Sequence, residues 1–127
     1  MGGRPMKLGI DMIEIDRIQK AVEGPGFLER VYTEEERSYC EGKKKNRFHS
    51  YAGLYAAKEA FLKALGTGMR YGSWQEIEIH HDDLGAPFMV VKGTFKDLME
   101  EQGLGEIVMS ITHCQTLAMS QVILQKK

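Results

Sequence analysis

Apolar and polar residues alternate along the chain with two periods, and the points where one period gives way to the other mark its elements. Leu8 to Ile15 is rich in β-branched and long apolar residues, then Ile18, Ala21 and Val22 follow Asp16 at helical spacing. This predicts a strand followed by a helix with Asp16 as N-cap and Gln19 as its reciprocal partner, stopped by Gly24-Pro25-Gly26. Thr33 and Glu36 form a second capping-box pattern that opens a short helix towards Cys40. The basic loop Lys43-Lys44-Lys45-Asn46-Arg47 leads into the longest helical pattern, roughly Arg47 to Leu65. There Phe48, Tyr51, Ala52, Tyr55, Leu62 and Leu65 make a stripe at three-and-four spacing, and Gly66 stands where a left-handed C-cap belongs.

Beyond the loop from Gly68 to Ser73, Ile77 and Ile79 alternate with Glu76 and Glu78 as in a half-buried strand. Asp83 to Pro87 turns the chain into a second strand, Phe88 to Lys92. A short helix carries Phe95, Leu98 and Met99 and ends at Gly103 or Gly105. Alternation at Ile107, Met109 and Ile111, a turn near Cys114 to Thr116 and a strand to about Leu124 complete the order βαααββαββ. That order predicts an α+β domain, with helices on a largely antiparallel sheet and one long central helix.

At 127 residues the chain fits one domain, expected over residues 6–127 behind a flexible leader at 1–5. Its 43% hydrophobic and 28% charged residues match a soluble globular protein. The net charge of −1 argues against generic polyanion binding, hence against nucleic acid. The charge is unevenly spread: residues 1–70 stand at +3 and residues 71–127 at −4, so an anionic ligand should meet the first half. The longest apolar run, Phe88 to Val91, is far short of a bilayer span, and no signal-peptide core is visible. Cys40 and Cys114, far apart and outside any CxxC spacing, fit a reducing compartment and a cytoplasmic location.

Two carboxylates resist a purely structural explanation. Asp11 interrupts an apolar strand and shares a face with Ile13, where a lone buried charge is costly; pairing with Arg17 is the structural alternative. Glu59 lies within the apolar stripe of the long helix. An i,i+4 pair with Lys63, worth about 0.2–0.5 kcal/mol, is too weak a reason to place it there. Facing each other across a strand and a helix, these carboxylates would make a hard-cation site of the Mg²⁺ type, with Mn²⁺ the alternative.

His113 ends the face of Ile107, Met109 and Ile111 and could line a pocket, although a hydrogen-bonded structural histidine is the commoner case. His80 and His81, adjacent on a strand, point to opposite faces and make a poor metal pair. A Cys114/His113 thiol hydrolase is a rival reading, weakened because sequence neighbours rarely have the geometry of nucleophile and base. Gly66-Thr67-Gly68 follows a helix C-terminus, so an anion there would need Lys63 or another cation.

In this order, Gly9-Ile10-Asp11 with Ile15-Asp16-Arg17-Ile18, then Tyr55-Ala56-Ala57-Lys58-Glu59-Ala60-Phe61 with Lys63-Ala64-Leu65-Gly66-Thr67-Gly68, resemble the signatures of holo-acyl carrier protein synthases. Phe27 to Thr33, Gly85-Ala86-Pro87 and Ser110-Ile111-Thr112-His113 extend the resemblance over essentially everything from Met6 onward. It implies the 4′-phosphopantetheinyl transferase fold and transfer of the 4′-phosphopantetheine arm of coenzyme A to a serine of apo-acyl carrier protein. Adenosine 3′,5′-bisphosphate is released, and the reaction serves fatty acid biosynthesis.

The resemblance also assigns roles. Asp11 and Glu59 match the family's metal carboxylates, and Glu59, Asp11 and Lys63 its catalytic positions. Lys63, Gly66, Thr67, Gly68 and His113 match positions at coenzyme A, while Arg17, with Lys20 beside it, faces the carrier. Leu54 stands where many relatives have arginine, a loss that Arg47 or Lys43 to Lys45 are candidates to offset. The family also implies a homotrimer with active sites between subunits. The remaining rival is a non-catalytic binding module for coenzyme A or a nucleotide.

Overall fold

The computed structural model describes residues 6–127; the leader expected at 1–5 lies outside the described residues. Strand β1 (Met6–Glu14) alternates exposed and inward residues and runs directly into helix α1 (Ile15–Glu23). The helix starts two residues earlier than its capping pattern predicts: Glu14, not Asp16, is the N-cap, and no side chain caps it. The reason is tertiary, because the first free amide, that of Ile15, donates to the Thr116 carbonyl at 2.9 Å.

Helix α2 (Phe27–Val31) was not expected; at five residues it is too short to show a period. In α3 (Glu34–Glu41) the capping box is present as predicted, with Thr33 Oγ1 accepting from the Glu36 amide and the Glu36 carboxylate from the Thr33 amide.

The long helix α4 (Arg47–Leu65) is buried on most of its circumference rather than along one stripe, and it is covered by elements on several sides. Gly66 closes it in the left-handed conformation, its amide donating to Leu62. Lys7 donates to the Leu65 carbonyl at 3.1 Å, so β1 satisfies one of the helix's last acceptors.

Strands β2 (Ile77–His81) and β3 (Pro87–Val91) form an antiparallel hairpin, its turn tied by Asp82 accepting from the amides of Leu84 and Ala86. Helix α5 (Gly93–Glu101) and the antiparallel pair β4 (Leu104–His113) and β5 (Leu117–Lys126) follow. The expected α+β class is therefore found, with the strands divided between a three-stranded sheet ordered β1-β5-β4 and the two-stranded hairpin.

Helix α4 lies across the three-stranded sheet, touching β1 at one end and β4 at the other. At Gly9 a Cβ would collide with the Ala60 carbonyl oxygen and stand 2.6 Å from the Ala64 amide nitrogen. At Gly53 a Cβ would meet Ile111 Cγ2 at 2.9 Å. The sheet's other face is left open: Met6, Leu8, Ile10, Met12 and Val108 are all exposed.

Among the described residues, one ion pair is fully internal. Lys58, on α4, donates to the Val31 carbonyl at 2.7 Å, Glu36 Oε1 at 2.8 Å and the Trp74 carbonyl at 3.1 Å. Glu36 Oε2 accepts from the Ile79 amide at 2.8 Å. This pair ties α3, α4 and β2 together.

Candidate active site

Close packing at Gly9 sets the site, because it draws α4 onto β1 and brings Glu59 and Lys63 over Asp11. Asp11 faces the helix, as period two requires, in a row across the sheet with Ser120 and Ile111. Lys63 Nζ donates to Asp11 Oδ1 at 3.0 Å and to the Ile10 carbonyl at 3.2 Å. Asp11 thus pairs with Lys63 and not with Arg17, and Lys63 turns to the strand and not to Glu59.

Burial, then the negative charge of Asp11, push the Glu59 carboxyl above its usual range, while Lys63 opposes them. Two carboxylates facing one another, with an ammonium already drawn to Asp11, are a donor set suited to a hard divalent cation.

Beside them opens a cavity of about 380 Å³, lined by Glu59, Lys63, Gly66, Gly68, Met69 and Trp74. Met69 and Trp74 went unrecognised in the sequence. Trp74 stacks on Tyr55 with ring centroids 5.3 Å apart, giving the polar centre an aromatic wall. Burial and the charges of Glu59 and Asp11 raise the Tyr55 phenol. Arg17 is among the cations that oppose this, which places it near the site, and both Arg17 and Lys20 are exposed on α1. Thr67 is half-buried in the loop, its hydroxyl donating to the Gly68 carbonyl.

His113 is elsewhere. It lines two adjoining hollows of about 180 and 520 Å³ at the β4 end of α4, together with Tyr39, His49 and Ser50. Neither hollow shares a lining residue with the Lys63 cavity. His49 and Lys63 lie about four turns apart on the same helix, ~21 Å along its axis.

Arg47 lines none of these cavities: it lies 3.7 Å from the Glu41 carboxylate and 4.4 Å from the Phe48 ring centre. Cys114 makes a sulfur contact with Thr116 at 3.9 Å, while the ring that faces His113 is His49. His80 and His81 do diverge: His81 stacks on Tyr39, and His80 bridges Glu35 and Glu78. Glu35, Glu78 and His80 come close enough to share an ion, but Lys92 already holds Glu78 at 3.0 Å.

Residues 7–112 match the family described as the 4′-phosphopantetheinyl transferase superfamily. The chain belongs to that superfamily. Among its similar members is the holo-[acyl-carrier-protein] synthase of Caldanaerobacter subterraneus subsp. tengcongensis, 47% identical over 91% of each chain. The holo-(acyl-carrier-protein) synthase of Bacillus anthracis, solved in complex with CoA (3′,5′-ADP), superposes with a TM-score of 0.78 at 35% identity, covering 95% of this chain and 96% of that one. That of Helicobacter pylori, solved with coenzyme A, gives 0.81 at 31% identity, covering 93% and 99%. The superfamily fold is therefore present from β1 onward. Among the described residues, no helix is long and apolar enough to cross a membrane.

Proposed function

We propose that this transferase moves the 4′-phosphopantetheine arm of coenzyme A to a serine of apo-acyl carrier protein, in the cytoplasm and in fatty acid biosynthesis. The observation that carries this reading is the convergence of Asp11, Glu59 and Lys63 beside the cavity bordered by Gly66 and Gly68. The names of its relatives and the coenzyme A held by its structural neighbours support it.

Asp11 and Glu59 would hold Mg²⁺, with Mn²⁺ the alternative. When bound, the ion supplies Lewis-acid neutralisation of pyrophosphate charge. Lys63 would add an ammonium to the neutralisation of phosphate charge. The carrier serine Oγ forms its bond to the β-phosphorus as the bond from that phosphorus to adenosine 3′,5′-bisphosphate breaks. The serine proton passes to Glu59, whose partly buried carboxyl is biased towards accepting it. Arg17 and Lys20, both exposed on α1, dock an acidic carrier surface, a contribution felt mainly in encounter rate and weakened by salt.

The reading also includes a homotrimer with sites between subunits. The pyrophosphate and the 3′-phosphate of coenzyme A hang from one ribose, so these two groups cannot together bridge the ~21 Å from Lys63 to the histidine hollows of the same chain. A neighbouring copy can supply the second half. The open sheet face of Met6, Leu8, Ile10 and Met12 offers the apolar surface such an assembly needs.

The test is mass spectrometry of an apo-carrier incubated with the protein, coenzyme A and Mg²⁺. The phosphopantetheine mass increment is expected, with adenosine 3′,5′-bisphosphate released. Coenzyme A binding without either product would identify a binding module instead.

A further inference from the structure

His80, near the end of β2, lines neither of the hollows beside His113, yet its ring is held between two carboxylates. Nδ1 stands 3.2 Å from Glu35 Oε2 on α3, and Nε2 stands 3.0 Å from Glu78 Oε1 on its own strand. Phe88 of β3 stacks on the ring with centroids 5.6 Å apart, which fixes its plane.

A neutral imidazole carries one N–H and can donate to only one of these carboxylates, whereas an imidazolium donates to both. The two carboxylates are unequal partners. Glu78 is only 8% exposed and also accepts from Lys92 at 3.0 Å. Burial raises its carboxyl, but hydrogen bonds from Thr33, Lys92 and His80 outweigh that and hold it at about 2, so it stays anionic at neutral pH and keeps the Nε2 proton. Loss of the Nδ1 proton turns a lone pair towards Glu35, whose side chain is 69% exposed and can swing into water. The link that opens is therefore the one between α3 and β2. Among the described residues, the charged and titratable groups facing this ring are Glu35 from α3, Glu78 and His81 from β2, and Lys92 after β3.

Tyr39 follows Glu35 by one turn on the same side of α3. Its ring lies flat on His81, 3.7 Å between centroids, and lines both hollows. Helix α3 thus grips β2 at two places, and the second grip is a wall of the hollows. The buried bond from the Ile79 amide to Glu36 does not involve the ring, so α3 stays docked when Glu35 lets go and the change is confined to its exposed side. Burial, then the positive charges of Lys43 and His80, hold the His81 imidazole below its usual range, with Asp82 opposing, so a charged His80 keeps its neighbour neutral beneath Tyr39.

We propose that His80 is a positioning residue, a proton-operated clasp that in its charged form ties Glu35 to Glu78 and so sets the Tyr39 wall for coenzyme A. The inference rests on the coenzyme A reading above and adds a control to it. The clasp is closed at the acid end of the range in which imidazoles change charge, about pH 5–8, and opens as pH rises through it.

Titration calorimetry of the full chain with coenzyme A and Mg²⁺, at pH 6 and pH 8.5, compares the native protein with Glu35→Ala and Glu35→Gln. Titration of His49 and His113 is common to the three proteins and cancels in the comparison. At pH 6 the native protein should bind about two- to fivefold more tightly than Glu35→Ala, the range of a partly exposed ion pair, and at pH 8.5 the two should be equal. Glu35→Gln, whose amide can donate to a neutral ring, should match or exceed the native protein at pH 8.5. Equal weakening by Glu35→Ala at both pH values would mark a static structural role and overturn the proposal, and so would identical binding at both.

Nuclear magnetic resonance of the protein without coenzyme A separates the clasp from the coenzyme A reading. The Glu35 carboxyl signal should move in step with the charging of the His80 ring and should stop doing so in His80→Asn. A Glu35 signal indifferent to that charging overturns the clasp whatever the ligand. If the clasp is seen but no coenzyme A binds at either pH, the coenzyme A reading fails, and the role given to Tyr39 with it.

Discussion

Lys58 and Glu36 form an ion pair beyond the reach of water, with 2.8 Å between Nζ and Oε1 and both side chains fully buried. Burial lowers the proton affinity of Lys58, and Glu36 restores part of it. Removing one partner strands the other, which costs about 3–5 kcal/mol in comparable pairs, whereas replacing both costs less. Lys58→Met should therefore lower the urea midpoint sharply, and Lys58→Met/Glu36→Gln should recover part of the loss. With Glu36→Gln alone to close the cycle, losses that simply add would show that the two groups are not coupled.

Lys63 calls for the opposite outcome. Its side chain is 55% exposed, so its pair with Asp11 contributes about 0–1 kcal/mol to stability. As a phosphate partner in the transition state it should matter far more, by about 10²–10³ in rate. Lys63→Met is expected to melt within a few degrees of the native protein and to lose at least a hundredfold in carrier modification, measured on one preparation.

In the proposed shared site, Asp11→Ala and His113→Ala damage different halves. Each should be nearly inactive alone. Refolded together they should regain activity well above either, because mixed assemblies contain some sites with both halves intact. Ile10→Glu, on the open face, should give smaller particles by light scattering and should lose activity without unfolding. A fully active monomer would overturn the shared site.

Gly9 and Gly53 mark the two crossings of α4 over the sheet but differ in what a methyl group would strike. At Gly9 the obstacle is helix backbone, which cannot move aside, and at Gly53 it is the Cγ2 methyl of the Ile111 side chain. Gly53→Ala should cost about 1–3 kcal/mol, as overpacking does. Gly9→Ala should cost more and should displace Asp11 from Lys63, so activity should fall even in protein that still folds. Denaturation curves and transfer assays on both variants test the contrast.

Acid stability should depend on Glu78. Burial raises its carboxyl, but hydrogen bonds from Thr33, Lys92 and His80 outweigh that and hold it at about 2. A carboxyl depressed in the folded state stabilises above its ordinary value of 4.5 and loses that contribution as pH falls towards 2. Glu78→Gln should be less stable at pH 7 and should show a flatter stability curve between pH 4.5 and 2. Parallel curves for the two proteins would place the acid sensitivity elsewhere.

Local pattern carried the sequence reading wherever the governing partners are close in the chain. The Thr33 capping box, the extent of α4 and its cap at Gly66, and the inward face of Asp11 all follow from spacings of two to four residues. The reading failed where the partner is remote. Asp16 does not cap α1 because Thr116, a hundred positions later, receives the Ile15 amide. Glu36 was legible as a capping residue but not as the counter-ion of Lys58, and nothing near His49 in the sequence announces His113. Asp11 and Glu59 stood out because each breaks an apolar pattern. Trp74 escaped because an aromatic residue in a loop breaks none.

The alternation of β1 has a consequence for how this protein can change. Met6, Leu8, Ile10 and Met12 occupy one side of the ribbon, while Lys7, Gly9 and Asp11 occupy the other, where they receive the long helix. The proposed assembly and the chemistry are thus written in alternate letters of the same nine-residue word. Substitutions can revise either message alone. Inserting or deleting one residue within it would exchange the two, turning the carboxylate out to the open face and an isoleucine in towards Lys63.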